Sequence, residues 1–101
     1  MTTRENNGLG LFFKPRSIAV VGASHNQEKI GYKVVKNIID GGYQGKVYPV
    51  NPSGGELLGL KVFRKMSEIE AEVDVAVIAV PASLVAGVIP ECAERGVKFL
   101  A

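Results

Sequence analysis

The sequence predicts an α/β fold, specifically a Rossmann-like, doubly wound parallel sheet in three αβα layers. Apolar, strand-like runs alternate with helical patterns, which is typical of a parallel sheet with right-handed crossovers. The run at residues 17–21 stops at Gly22, and short polar residues lead from there to a helical pattern that begins at Ile30. Such a turn commonly binds phosphate, because free backbone N–H groups and the positive end of the helix dipole face the same point. We expect the chain to be organised around this turn.

Length and composition limit the class of protein. The 101 residues fit one domain, and 47% hydrophobic and 22% charged residues are ordinary for a globular core. A net charge of +2 with interspersed signs, four Phe, three Tyr and no Trp disfavour a nucleic-acid partner. No apolar run approaches the ~20 residues of a membrane span, so we predict no membrane partner. The single cysteine, Cys92, cannot form an intramolecular disulfide and favours a cytoplasmic location.

The first part of the chain leads into the central strand. We expect residues 1–8 to be disordered because nothing in them can be buried, and the apolar residues within 9–13 to form a short turn beneath the sheet. The first strand covers residues 17–21, and a loop covers residues 22–29.

A helix and a second strand follow. Apolar residues at positions 30, 34, 35, 38 and 39 fall on one helical face, and Gly41 with Gly42 supplies a left-handed stop. The second strand is predicted at residues 46–50. Pro49 lacks a backbone donor, so we expect it near the end of that strand.

The middle of the chain contains a turn-rich loop at residues 51–55 and a very short edge strand at 61–63. Ser67 followed by Glu70 predicts a capping box, with Ser67 as the N-cap of a short helix. The run at residues 73–80 is the longest apolar one, which predicts a central strand buried on both faces.

The last predicted helix begins with Ser83 as its cap, has Pro90 in its interior and ends at Gly96. Its predicted apolar face consists of Leu84, Val85, Val88, Ile89 and Cys92. A further strand begins within residues 97–101, and the sequence stops inside it. We therefore expect residues 1–101 to form one domain at the N-terminus of a longer protein.

The predicted topology puts the ligand site at one edge of the sheet. The first strand is expected at the centre, with the second strand on one side and the run at 73–80 on the other. Ligands bind at the carboxyl ends of parallel strands, where the strand order reverses. The loops that converge there are 22–29, 51–55 and 81–83.

A nicotinamide or flavin dinucleotide is one candidate ligand, and two features count against it. The Gly-x-Gly-x-x-Gly fingerprint needs glycines where Ser24 and Gln27 stand. The second strand ends in Val50, Asn51 and Pro52 rather than in the acidic residue that takes ribose hydroxyls. An acid-free end suits a ligand with an extra phosphate on its ribose, since a carboxylate would repel it. An NADP-type domain of an oxidoreductase therefore stays open as the alternative.

Several parts of the sequence, taken in order, resemble a known family. They are residues 13–24, 42–52, 59–63 and 74–82, together with Gly31 and Asn37. They resemble the CoA-binding domain of NDP-forming acyl-CoA synthetases. This family includes ADP-forming acetate–CoA ligases, the α subunit of succinyl-CoA synthetase and the N-terminal region of some bacterial protein acetyltransferases. The resemblance covers most of the chain, and the order of its parts makes it specific.

The resemblance implies a Rossmann-like domain that holds CoA or acyl-CoA. It implies that loop 22–27 wraps the CoA phosphates, that residues 50–52 line the adenine and ribose side, and that residues 80–82 form an apolar lip for the pantetheine arm. The candidate cofactor-binding residues are Gly22, Ala23, Ser24, His25, Asn26, Gln27, Lys29, Val50, Asn51, Pro52, Val80, Pro81 and Ala82.

The chain departs from the family at one point and lacks the catalytic part. Relatives often carry a lysine after Asn-Pro, where residues 53–55 here read Ser-Gly-Gly; Lys29 or Lys61 are candidates to replace it. In the synthetases, a phosphorylated histidine on a later domain carries the phosphate, and His25 matches no such motif. The resemblance thus implies an ATP-grasp subunit or domain as partner, and we predict no catalytic residue and no metal site in this chain.

The candidate residues also have purely structural explanations. Gly22 also suits a tight turn alone, Ser24 a helix cap, Asn51 a turn, and Pro81 a strand end. Convergence of three loops favours the ligand-binding explanation, so Gly22→Val is expected to clash with the ligand while the fold survives. Three hypotheses remain: the CoA-binding module of an acyl-CoA synthetase, an NADP-type domain, and a non-enzymatic CoA-responsive module.

Overall fold

The computed structural model describes residues 15–94 and 99–100. The predictions for residues 1–8, for the apolar turn at 9–13 and for the helix end at Gly96 lie outside the described residues.

The described residues form the predicted doubly wound α/β fold. Its strands are β1 (Ser17–Val21), β2 (Lys46–Val50), β3 (Glu56–Leu57), β4 (Leu60–Lys61), β5 (Val75–Ile78) and β6 (Phe99–Leu100). Its helices are α1 (Ile30–Asp40) and α2 (Ala82–Glu94), and Met66–Glu68 forms a 3₁₀ turn. The main sheet has the order β2-β1-β5-β6 with every pair parallel, whereas β3 and β4 form an antiparallel pair.

β1 lies in the middle of the sheet, and its residues alternate between two apolar layers because successive strand side chains point to opposite faces. Ala19 and Val21 belong to one core cluster, and Val20 belongs to the other. The first layer contains Met66 of the 3₁₀ turn and Cys92 of α2, whereas the second contains residues of α1. Helical structure therefore covers both faces, and the predicted three-layer arrangement is confirmed.

α1 ends in a Schellman motif. The N–H groups of Gly42 and Tyr43 donate to the carbonyls of Ile39 and Ile38 at 3.1 and 3.3 Å. Of the two glycines, Gly42 has positive φ, at 81°, whereas Gly41 stays in the right-handed region at −76°. The left-handed stop predicted for the glycine pair is thus supplied by Gly42 alone.

Pro49 is buried in β2 without breaking the pairing with β1. Its carbonyl accepts a hydrogen bond of 2.8 Å from the N–H of Phe63, on the side of β2 that faces away from β1. A residue's N–H and carbonyl point to the same side of a strand, so the donor that proline lacks is one that β1 does not need. The strand bounds predicted for residues 46–50 are confirmed.

The predicted capping box at Ser67 is wrong. The 3₁₀ turn begins at Met66, and the residue before it, Lys65, makes no side-chain cap. Met66 and Ile69 are both buried, and a tight 3₁₀ turn places residues three apart on one face. Glu68 instead accepts a hydrogen bond of 3.0 Å from the N–H of Arg64.

α2 begins at Ala82, so Ser83 lies in its first turn instead of capping it. Cys92 is buried, Val88 packs against the same core, and burial raises the pKa of the Cys92 thiol. Leu84 and Ile89 are 56% and 41% exposed, so the buried stripe is narrower than the predicted apolar face. Among the described residues, no helix is long and apolar enough to cross a membrane.

The amino ends of β1 and β5 are fastened together. The Ser17 hydroxyl donates to the carbonyl of Glu72 at 2.8 Å and accepts from the N–H of Asp74 at 3.0 Å. The Asp74 carboxylate accepts from the N–H of Arg16 at 2.8 Å. A shallow depression of about 330 Å³, hereafter the amino-end cleft, lies beside these residues. It is lined by Arg16, Ser17, Lys46, Tyr48, Ala71, Glu72 and Asp74.

Candidate functional site

An open cleft of about 530 Å³ lies at the carboxyl ends of β1 and β5, where the order of the strands reverses. Its volume is in the range of small-molecule sites. The cleft is lined by Gly22, Ser24, Lys29, Ile30, Gly31, Ile78, Ala79, Val80 and Pro81. We call it the carboxyl-end cleft. The turn after β1, the start of α1 and the end of β5 thus meet at one place. Of the three loops predicted to converge, 22–29 and 81–83 contribute to the lining, whereas no residue of 51–55 does.

Gly22 ends β1 in a conformation that other residues rarely adopt, with φ at 95°. A Cβ at this position would lie 2.8 Å from the carbonyl carbon and oxygen of Ala79 and from Cγ1 of Val80. Gly22→Val would therefore collide with the protein itself. The expectation that this variant keeps its fold and only blocks the ligand is wrong.

Gly31 lets the start of α1 approach the turn after β1. It is buried, and a Cβ there would overlap the carbonyl oxygen of Gly22. Because the Gly22 oxygen belongs to the main chain and cannot rotate aside, only glycine fits without moving the helix away from the strand. This contact points the N-terminus of α1 at the carboxyl-end cleft.

The donors that face the cleft come from α1 rather than from the first residues of the turn. The N–H groups of Gly22 and Ala23 both donate to the carbonyl of Val50, at 3.0 and 3.2 Å. The first N–H groups of a helix have no acceptor within it. The residue before α1, Lys29, makes no side-chain cap hydrogen bond, and its side chain is exposed at the cleft. Positive potential from the helix dipole and a lysine thus coincide.

Three hydrogen bonds between residues close in sequence shape the rest of the first loop. The Ser24 hydroxyl accepts from the N–H of Asn26 at 3.0 Å, and the Asn26 side-chain oxygen accepts from the N–H of Glu28 at 2.9 Å. The N–H of Lys29 donates to the carbonyl of Asn26 at 3.0 Å. Polar side chains in this loop therefore organise its backbone.

The loop after β2 is tied to the first loop through Asn51. Its side-chain amide donates to the carbonyl of Ala23, and its side-chain oxygen accepts from the N–H of Ser53 at 2.7 Å. Its own N–H donates to the carbonyl of Phe63 at 2.8 Å. Asn51 thus uses both side-chain polar atoms to fix the position of the second loop beside the first.

The predicted site residues fall into two groups. Five of them line the carboxyl-end cleft: Gly22, Ser24, Lys29, Val80 and Pro81. The others do not line it: Ala23 and Val50 are buried, Asn51 is half-buried, and His25, Asn26, Gln27 and Pro52 are exposed in the two loops. Ala82 is the first residue of α2.

Sequence reasoning missed four residues of the cleft: Ile30, Gly31, Ile78 and Ala79. Ile30 is 69% exposed, although the helical pattern assigned it to the face that packs on the sheet. A glycine in the first turn of a helix was a usable signal for Gly31, since it weakens the helix unless close packing requires it. Ile78 and Ala79 carried no comparable signal, because they read as ordinary strand residues.

A doubly wound sheet with a cleft at its switch point and an uncapped helix N-terminus in that cleft defines a domain of the nucleotide-binding Rossmann-like class. The profile of a family described as CoA binding domain matches residues 16–101. This chain belongs to that family.

Known proteins with similar sequences and structures agree with this assignment. The chain is 50% identical over 96 residues to the α subunit of the ADP-forming acetate–CoA ligase I of Pyrococcus furiosus, and the match covers 91% of the chain and 21% of the relative. A solved structure, acetyl-coenzyme A synthetase 1 of Ca. Korarchaeum cryptofilum in complex with phosphate and ADP, matches with a TM-score of 0.86 and 49% identity over 92% of the chain and 20% of the neighbour.

A third match concerns a shorter protein. The structure of a conserved hypothetical protein from Pyrococcus furiosus has a TM-score of 0.75 and 41% identity, and the match covers 84% of this chain and 72% of that protein. The chain therefore spans about a fifth of the α-subunit and synthetase relatives, but most of this shorter one.

Proposed function

We propose that this chain binds CoA or acyl-CoA in the carboxyl-end cleft, with the CoA pyrophosphate at the start of α1. The observation that supports this most directly is the uncapped N-terminus of α1 beside Lys29. Helix N–H groups, the helix dipole and an ammonium group together form a site for a diphosphate. Membership of the CoA binding domain family selects CoA among ligands that carry a diphosphate.

The two ends of CoA would then lie on opposite sides of this phosphate site. Ala79, Val80 and Pro81 form an apolar margin suited to the pantetheine arm. The loop after β2, held against the first loop by Asn51, is suited to the adenosine end. On the adenosine side we also place four exposed loop residues, His25, Asn26, Gln27 and Pro52. On the pantetheine side we place Ala82, the first residue of α2.

We further propose that the chain is the CoA-binding domain of an ADP-forming acyl-CoA synthetase of the acetate–CoA ligase type. The similarity to acetate–CoA ligases supports this, with identities of 50% and 46% to relatives from Pyrococcus furiosus and Archaeoglobus fulgidus. Activation of the acid would then take place on further domains or on an ATP-grasp subunit. We also propose a cytoplasmic location, in keeping with the free thiol of Cys92.

A second candidate function is a CoA-responsive module that works without the synthetase domains. It is favoured by the similarity to a short protein, 72% of which is covered by the match. Both candidates require CoA binding and differ in whether the chain continues into ligase domains. The NADP-type alternative is not favoured, because the family match and the relatives concern CoA.

The proposal is tested by calorimetric titration of the chain with CoA, acetyl-CoA and NADP⁺. We expect saturable binding of both CoA species, and weaker or no binding of NADP⁺. Lys29→Gln should weaken CoA binding about threefold to tenfold, since one charge-assisted contact is lost. Lys33→Gln is the matched control, because Lys33 is an exposed lysine of α1 and does not line the cleft. Tighter binding of NADP⁺ than of CoA would contradict the proposal.

A further inference from the structure

Two exposed side chains that carry N–H groups lie against the same glycine turn in the loop after β2. A Cβ on Gly54 would lie 3.0 Å from Nε and 3.3 Å from Cγ of Arg64. A Cβ on Gly55 would lie 3.7 Å from Nε2 of His25. Arg64 and His25 are far apart in sequence and come from different loops. The fold therefore places a guanidinium and an imidazole on adjacent residues of one turn.

The turn is covered at Gly54, which is buried beneath Arg64, and exposed at Gly55. Gly54 and Gly55 both have positive φ, at 66° and 89°, a conformation that favours glycine, and the absence of a Cβ lets the Arg64 and His25 side chains lie close to the turn. The turn lies beside the first loop because Asn51 bonds to the carbonyl of Ala23. It therefore belongs to the same edge of the sheet as the carboxyl-end cleft while lying outside the lining of that cleft.

The two lysines considered from the sequence are placed elsewhere. The ammonium group of Lys61 lies 5.0 Å from the centroid of the Phe63 ring, in a cation–π arrangement. Lys29 lines the carboxyl-end cleft at the start of α1. Arg64 is the basic side chain that the structure places against Gly54.

We propose that Arg64, beside Gly54, and His25, beside Gly55, bind the phosphate monoester on the ribose of CoA. This inference rests on the proposed function, which places the CoA pyrophosphate at α1. CoA carries a third phosphate at the 3′ position of its ribose, and that group needs donors at a second point. A guanidinium offers paired N–H groups that match phosphate oxygens, and an imidazole adds a further donor.

The contribution of the ribose phosphate to binding is tested by comparing CoA with dephospho-CoA, which lacks only this group. We expect the wild-type chain to bind CoA about tenfold more tightly than dephospho-CoA in calorimetric titrations, since charge-assisted contacts to the phosphate are lost. Arg64→Met keeps an aliphatic chain over Gly54 but removes the charge, so it should weaken CoA binding and leave dephospho-CoA binding unchanged. Arg64→Lys should retain part of the preference.

Two further variants sharpen the test. Lys65→Gln removes a neighbouring exposed lysine and should leave the preference unchanged. His25→Ala should reduce the preference, and the double variant with Arg64→Met should reduce it further.

The outcomes separate this inference from the proposed function. Equal binding of the two ligands by the wild-type chain, or equal losses for both in Arg64→Met, would overturn the role of Arg64 while leaving CoA binding intact. Absence of binding by both ligands would overturn the proposed function, and this inference with it.

Discussion

The side-chain amide of Asn51 donates a hydrogen bond to the main-chain carbonyl of Ala23, and this bond joins the loops that follow β2 and β1. The Val50 carbonyl makes a second link, since it accepts from the N–H groups of both Gly22 and Ala23. The two loops are therefore positioned relative to each other before any ligand binds. Preorganisation of this kind lowers the entropic cost of binding.

Replacement of Asn51 by Asp should separate the two roles of its side chain. A carboxylate still accepts from the N–H of Ser53, but it cannot donate to the carbonyl of Ala23. We expect the free energy of unfolding to fall by about 1–2 kcal/mol and CoA affinity to fall as well, because a part-buried carbonyl loses its partner. Urea denaturation and calorimetry measure the two effects. Ser53→Ala, which leaves the Asn51 bonds in place, should change stability by less than about 0.5 kcal/mol.

Replacement by alanine should change the free energy of unfolding in opposite directions at two glycines that lie in helices. At Gly31 a Cβ would overlap the carbonyl oxygen of Gly22, so Gly31→Ala should lower the free energy of unfolding by about 2 kcal/mol or more. At Gly87 in α2 a Cβ would meet nothing within 4 Å, so Gly87→Ala should raise stability by about 0.5–1 kcal/mol. Urea denaturation of both variants checks the pair. A neutral Gly31→Ala would contradict the close approach of α1 to β1.

Alanine substitutions at Ser17 and Ser67 test the different roles that the structure gives these two serines. Ser17 is buried and joins the carbonyl of Glu72 to the N–H of Asp74, so Ser17→Ala should cost about 1–3 kcal/mol. Ser67 is exposed and caps no helix, so Ser67→Ala should cost less than about 0.5 kcal/mol. A loss of about 1 kcal/mol at Ser67, as for a true N-cap, would restore the capping-box interpretation.

Cys92 should make stability depend on pH in the alkaline range. Burial raises the pKa of its thiol in the folded chain above the ~8.5 of an unfolded chain. Ionisation of the unfolded thiol then favours unfolding, so this contribution is present below pH ~8.5 and is lost as the pH rises toward the folded value.

The comparison is made with Cys92→Ala by urea denaturation between about pH 7 and 10, a range that spans the ordinary thiol pKa. The free energy of unfolding of the wild type should fall with pH more steeply than that of the variant, by at most about 1.4 kcal/mol per pH unit. Tyr43, whose pKa is also raised by burial, is present in both proteins and contributes equally. Parallel pH profiles would contradict the buried position of the thiol.

The sequence was sufficient for the parts of the fold that depend on local pattern. β1 and β2 have the predicted bounds, because apolar, β-branched runs bounded by glycine or asparagine have few alternative structures. The end of α1 was marked by Gly42, because glycine readily adopts the positive φ of a helix stop. The strand order also followed from pattern, since alternating strands and helices leave few ways to build a parallel sheet.

Features that depend on long-range packing were not predictable from pattern. The burial of Met66 and Ile69 decided that a 3₁₀ turn forms where a capping box was expected. At the site, Asn51 was identified as a candidate, but its bond to Ala23 depends on two loops that meet only after folding. The placement of Arg64 against Gly54 likewise arises from tertiary structure, and no spacing in the sequence signals it.

The central claim, that CoA binds at the carboxyl ends of β1 and β5, is tested most directly by NMR titration of the amide resonances with CoA. We predict saturable shifts at Ser24, Gly31 and Val80, which line the carboxyl-end cleft. Ser17 and Lys46 in the amino-end cleft, where Arg16 also offers a positive charge, should not shift. Shifts centred on the amino-end cleft, or no saturable shifts at millimolar CoA, would contradict the account.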